Sequence, residues 1–213
     1  MTGVQTCALP IYGRLVRYTP ETDRLEISPG LLAHDLNYQT GWHSVFYDVA
    51  PSPDGESVYA STWCPNPRLM RIWHNDGEWP RVEDLGPATQ PRDTSFPIDM
   101  YRDHCGGLTF GGDGKLYYVA SRWRDSKYNP TPESRKQNEG VVWRLDPQTL
   151  KREEVARLEH PTGVAHYVSR GAVDHNGDLF FGHVGNHPSG IFKVSMPADR
   201  KRKNSHLPIR MWG

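Results

Sequence analysis

The sequence is short of the features that announce most enzyme classes. It has three cysteines in 213 residues, none at Cys-x-x-Cys spacing, so they form neither a disulfide framework nor a zinc knuckle. Lys plus Arg and Asp plus Glu both number 25, and a zero formal charge gives no electrostatic reason to bind nucleic acid or an anionic membrane. Mean hydropathy is −0.70, and no apolar run approaches the ~20 residues needed to cross a bilayer. A Gly-x-Ser-x-Gly elbow, a His-Glu-x-x-His pair, a Walker loop and a Gly-x-Gly-x-x-Gly after a strand are all missing, which removes the readings those motifs support. Gly-Gly-Asp-Gly-Lys at 111–115 reads as a hairpin, and the basic run at 199–203 as a solvated loop.

Residues 1–11, MTGVQTCALPI, resemble the translation of a common sequencing adapter. On that reading they take no part in the fold, the natural chain starts near Tyr12, and any leader is lost with its true start. Localisation is therefore open, with a periplasmic or extracellular place among the readings. What the sequence does have is 20 Gly, 18 Pro, seven Trp, ten Tyr and six Phe, which combine many tight turns with a large aromatic core. A mainly β chain is expected.

Aligning on turn dipeptides exposes a repeat. VFYDVAPSPDGESVYAS (45–61), CGGLTFGGDGKLYYVAS (105–121) and SRGAVDHNGDLFFGHVG (169–185) each read strand, Asp-Gly or Asn-Gly, strand. The dipeptides Asp54-Gly55, Asp113-Gly114 and Asn176-Gly177 predict type I′ hairpins with positive φ at both central residues. A third strand follows each hairpin (68–73, 140–150, 189–197), and 13–28 parallels the segment after 140 closely enough to be the last two strands of an earlier unit. In register, Arg17, Arg71, Arg144 and Lys193 share one position, expected to pair between adjacent units. The tail SHLPIRMW is expected either to complete the last unit as its outer strand or to cross to a first unit.

Four-stranded antiparallel units recurring roughly every 60 residues are what β-propeller blades require. The fold class is all-β, a partial β-propeller of about three complete four-stranded blades plus half of an upstream blade. Over Gly13 to Trp212 the pattern resembles the bacterial propeller proteins that include the streptogramin lyase, gluconolactonase and oligogalacturonate lyase families. That resemblance implies a propeller of as many as seven blades, a face of loops over a central channel, and sugar-directed lyase or hydrolase chemistry. It also implies that 12–213 is the C-terminal part of one propeller domain, monomeric at full length and exposing blade faces when isolated.

The loops between blades each bring a histidine beside an inner strand: His43, His104 and His166 precede the hairpin glycine by 12, 10 and 11 residues. Three imidazoles around one axis suit a divalent metal or a base poised near neutrality. Arg170 and Asp48, further down the inner strands, are placed to complete such a site. The loops between second and third strands carry Trp63, Arg122 with Trp123, and His183 with His187, and the longest holds Tyr128. Indole faces stack on sugar rings and guanidinium groups bind carboxylates. The leading expectation is a lyase acting on a small acidic, uronate-containing saccharide, with His43, His104, His166, Arg170 and Tyr128 at the reacting centre. The alternatives are a non-catalytic binding module and a lactone-hydrolysing metalloenzyme. Strand capping by the histidines and blade packing by the tryptophans are the structural alternatives.

Overall fold

The computed structural model describes residues 16–28, 46–62, 67–73, 79–88, 104–122, 139–160, 163–164, 168–183, 190–196 and 209–212. Three four-stranded antiparallel sheets follow one another along the chain. The first holds β3 (Phe46–Pro51), β4 (Ser57–Thr62), β5 (Arg68–Trp73) and β6 (Arg81–Pro87). The second holds β7 (His104–Phe110), β8 (Leu116–Arg122), β9 (Glu139–Leu145) and β10 (Arg152–Arg157), and the third β13 (Val168–Val173), β14 (Leu179–His183), β15 (Gly190–Val194) and β16 (Ile209–Trp212). Upstream, β1 (Val16–Thr19) and β2 (Arg24–Ile27) pair alone around the 3-10 turn Pro20–Thr22. The chain is a partial β-propeller of three blades and the outer half of a fourth. β16 pairs with β15, so the tail completes its own blade. A small hairpin of β11 (Glu159–His160) and β12 (Gly163–Val164) lies in the connection from the second blade to the third.

The hairpins differ from expectation in their turns. Gly55, Gly114 and Gly177 have φ of 74°, 71° and 83°, whereas Asp54, Asp113 and Asn176 are absent from the positive-φ residues. Each glycine amide donates to the residue three positions back, Ser52, Gly111 or Asp174. These are type I turns followed by a left-handed glycine, the longer hairpin loop that an Asp-Gly dipeptide also serves.

The repeated basic position is real, and its ion pairs lie within the blade, while Arg17 also reaches the next blade, 4.9 Å from the Trp79 ring centroid. Arg71, Arg144 and Lys193 stand opposite Tyr59, Tyr117 and Phe180 on the second strand. Arg144 bridges Asp113 at 3.0 Å and Glu153 at 2.5 Å, Lys193 meets Asp178 at 2.6 Å, and Arg17 meets Glu26 at 2.8 Å. Arg71 donates to Ser57 Oγ at 3.1 Å and lies 3.4 Å from the Trp73 ring centroid. These carboxylates sit at the hairpin turn or on the adjacent outer strand, within one side chain's reach. A cationic bridge between blades comes from Arg152 on β10, which donates to the carbonyls of Pro87 and, at 2.6 Å, Leu85 at the end of β6.

The core lies between the sheets. Along β8 the side chains alternate strictly: Leu116, Tyr118 and Ala120 enter the cluster with the first blade, and Tyr117 and Val119 the cluster with the third. A strand covered on both faces reads as continuous apolar sequence, as LYYVA does.

Candidate functional site

The inner strands β3, β7 and β13 pack side by side, with β7 touching both of the others, and all three are bulged. Register shifts fall between Phe46 and Asp48, between Gly106 and Thr109, and between Val168 and Arg170. A bulge inserts a residue and re-aims its neighbours. The residue seven positions before each hairpin glycine is Asp48 in β3, Gly107 in β7 and Arg170 in β13, so three successive blades place an acid, a glycine and a base at one level.

Asp48 is buried, and its carboxylate ties the first blade to the second. Oδ2 accepts the Leu108 amide at 2.8 Å and Oδ1 accepts the Val49 amide at 2.9 Å. Burial raises its pKa, against the lowering effect of these amides and of the positive charge of Arg170. Arg170 is exposed. Between them Gly107, at φ 68°, occupies a position where a Cβ would sit 2.8 Å from Val168 Cγ1 and 2.9 Å from Phe181 Cδ1. A Cβ on Gly171 would come within 2.2 Å of the Gly107 oxygen. The β7 and β13 backbones approach this closely because glycine stands at both positions.

Beside this level, Ser61 Oγ donates to the Cys105 carbonyl at 2.8 Å. Cys105 is buried, and burial, reinforced by the Asp48 charge, pushes its thiol well above the ordinary range, so it is an inert packing thiol. His104 opens β7, buried and opposite Ser121. Strand β7 thus carries His104 at one end and the Asp113-Gly114 turn at the other.

Of the site residues singled out in the sequence, His104, Asp48 and Arg170 have described side chains, and Arg170 is brought into electrostatic contact with Asp48. Arg122 ends β8 opposite Glu139, and His183 ends β14 opposite Val168 and Gly190, as backbone positions. His43, Trp63, Trp123, Tyr128, His166 and His187 lie outside the described residues. Among the described residues no three His, Cys, Asp or Glu side chains group as metal ligands. Likewise, no helix there is long and apolar enough to cross a membrane. Sequence reasoning gave Asp48 a minor place, although its equal spacing with Gly107 and Arg170 was readable.

No family model and no curated protein matches the sequence. Two solved structures described as 6-phosphogluconolactonases are similar: one from Bacteroides uniformis (13% identity, TM-score 0.29, covering 97% of this chain and 80% of that one) and one from Bacteroides fragilis (13%, 0.35, 100% and 74%). The chain is also similar to the extracellular domain of a one-component system from B. thetaiotaomicron, at 11% identity and a TM-score of 0.52 over 92% of its length. It spans 22% of that structure, and the likeness supports the fold alone.

Proposed function

We propose that this propeller acts on a small acidic saccharide of the uronate type, bound over the axis with its carboxylate against Arg170. The observation that carries the reading is the layer of Asp48, Gly107 and Arg170: a buried carboxyl group and an exposed guanidinium, separated by a residue with no side chain. An exposed Arg on an inner strand offers a paired donor to a carboxylate. Neutralising a uronate carboxylate acidifies the neighbouring C–H, so a base can remove that proton while the β C–O bond breaks. The departing oxygen then needs a proton. A protonated side chain among the candidates below, or water, supplies it. His43, His104, His166 and Tyr128 are the candidate bases. Trp63, Arg122, Trp123, His183 and His187 are the candidate walls of the saccharide site.

The test is calorimetric titration of the full chain with a uronate oligosaccharide, followed by near-ultraviolet absorbance for an unsaturated product. Binding that weakens at least tenfold in Arg170→Ala, with unsaturated product formed by the unaltered chain, supports the lyase. Binding without product makes the propeller a recognition module. No binding, or binding indifferent to Arg170, overturns the proposal.

A further inference from the structure

The first and second blades place the same side chains around the repeated basic residue and pair them differently. In the second blade Arg144 stands opposite Tyr117 on one side and Glu153 on the other; in the first, Arg71 stands opposite Tyr59 and Glu83. Each hairpin turn adds an aspartate, Asp113 or Asp54, just before its glycine. One oxygen, Asp113 Oδ2, accepts the Tyr117 hydroxyl at 2.9 Å and the Arg144 Nε and Nη2 at 3.1 and 3.0 Å, while Glu153 accepts Nη1.

The first blade keeps both acids but turns them elsewhere. Asp54 accepts the Ser52 hydroxyl at 2.5 Å and the Glu56 amide at 3.0 Å, and Glu83 accepts the Trp73 indole N–H at 3.2 Å. Arg71 donates from Nε to Ser57 Oγ at 3.1 Å and, among the described residues, has no carboxylate within ion-pair reach, whereas Arg17, Arg144 and Lys193 each have one. The Tyr59 hydroxyl is buried and has no hydrogen-bond partner among the described residues, which costs it its hydration with nothing in return. Two donors that share a carboxylate oxygen in the second blade therefore both lack one in the first.

Arg71 is half-buried, so solvent reaches it. Its guanidinium lies 3.4 Å from the Trp73 ring centroid and 5.2 Å from that of Tyr59, and Arg81 adds a second positive charge 4.9 Å from the Trp73 ring. A guanidinium stacked between rings keeps its donor fork pre-organised for a carboxylate. We infer that the first blade binds a carboxylate-bearing ligand between Arg71 and the Tyr59 hydroxyl, in the position that the Asp113 side chain takes in the second blade. Asp54 and Glu83 do not exclude it, because Arg144 holds two carboxylates at once. Tyr59 stands opposite Ala50, beyond Asp48 towards the turn, so this site is apart from Arg170 and independent of the saccharide reading.

The test follows the Nε–H resonance of Arg71 in the full chain, assigned by its loss in Arg71→Lys, as sodium acetate replaces sodium chloride at constant ionic strength. That resonance should shift saturably, while the Arg144 resonance stays still because Asp113 and Glu153 already hold its guanidinium. Tyr59→Phe, which deletes only the hydroxyl, should melt no lower and bind acetate about tenfold more weakly, the worth of a hydrogen bond to a charged group. Asp113→Ala opens the same position in the second blade and should make the Arg144 resonance respond to acetate as well. No saturable shift of Arg71, which is what an acid of segment 74–78 paired with it would produce, overturns the site. So do equal shifts of Arg71 and Arg144 in the unaltered chain, undiminished binding in Tyr59→Phe, or an Arg144 indifferent to acetate after Asp113→Ala.

Discussion

The second and third blades have the same strand order and the same turn but different surroundings. In the second, both faces are covered, so consecutive β8 residues Leu116, Tyr117, Tyr118, Val119 and Ala120 are all buried in two separate clusters. In the third, Leu179, Phe181, Phe192 and Val194 are buried against the second blade, while their alternates Phe180 and Lys193 are half-buried and Ile191 is exposed. Alternation in a propeller sheet therefore reports which neighbour a residue touches, and burial reports whether that neighbour is present.

The strongest way to break this comparison is at neighbouring phenylalanines. Phe181→Ala removes a fully buried ring from the interface and should cost about 3–5 kcal/mol in urea unfolding. Phe180→Ala, one residue away on the other face, should cost under about half of that. Equal losses would show that the two faces are equally packed. At the next pair, Val142→Ala should destabilise by roughly 1–2 kcal/mol through lost burial, whereas Ile191→Ala should stay within about 0.5 kcal/mol.

Electrostatics give the smallest effect. The Lys115 ammonium, 2.6 Å from Asp146, together with backbone amides, lowers the Asp146 carboxyl to about 2. A depressed folded value means that this contribution is present above the unfolded carboxylate range and fades as pH falls towards 2. Lys115→Met should shift the Asp146 carbon resonance titration upward. Both groups are partly solvated, so melting at neutral pH should barely change.

Much of the fold was legible because a propeller writes its period in turn residues and apolar strands: β5 coincides with the expected 68–73 segment. What escaped depends on details that residue types do not encode. An Asp-Gly pair serves both a two-residue turn and the longer loop found here, and only backbone angles separate them. The expected pairing of Arg144 with another blade failed because its acidic partners, Asp113 and Glu153, come closer by strand pairing within its own blade. The Arg152 bridge joins carbonyls, which carry no sequence signal. The Asp48, Gly107 and Arg170 layer was written as a common spacing, but the middle position is a glycine, which a search for functional side chains passes over. Convergence of His43 and His166 with His104 concerns two positions outside the described residues.

The central claim is that inner strands from three blades bring Asp48 and Arg170 together across Gly107. Carbon-detected titration of the Asp48 carboxyl, in the unaltered chain and in Arg170→Ala, tests it most directly. Burial raises this group while Arg170 lowers it. A raised folded value means that stability falls as pH rises through it. Arg170 is exposed, so its truncation should leave the fold intact. The expected result is an Asp48 midpoint above the ordinary aspartate range that climbs further when Arg170 is removed. A midpoint at the ordinary value, or one that ignores Arg170, would contradict the placement of a buried Asp48 beside Arg170.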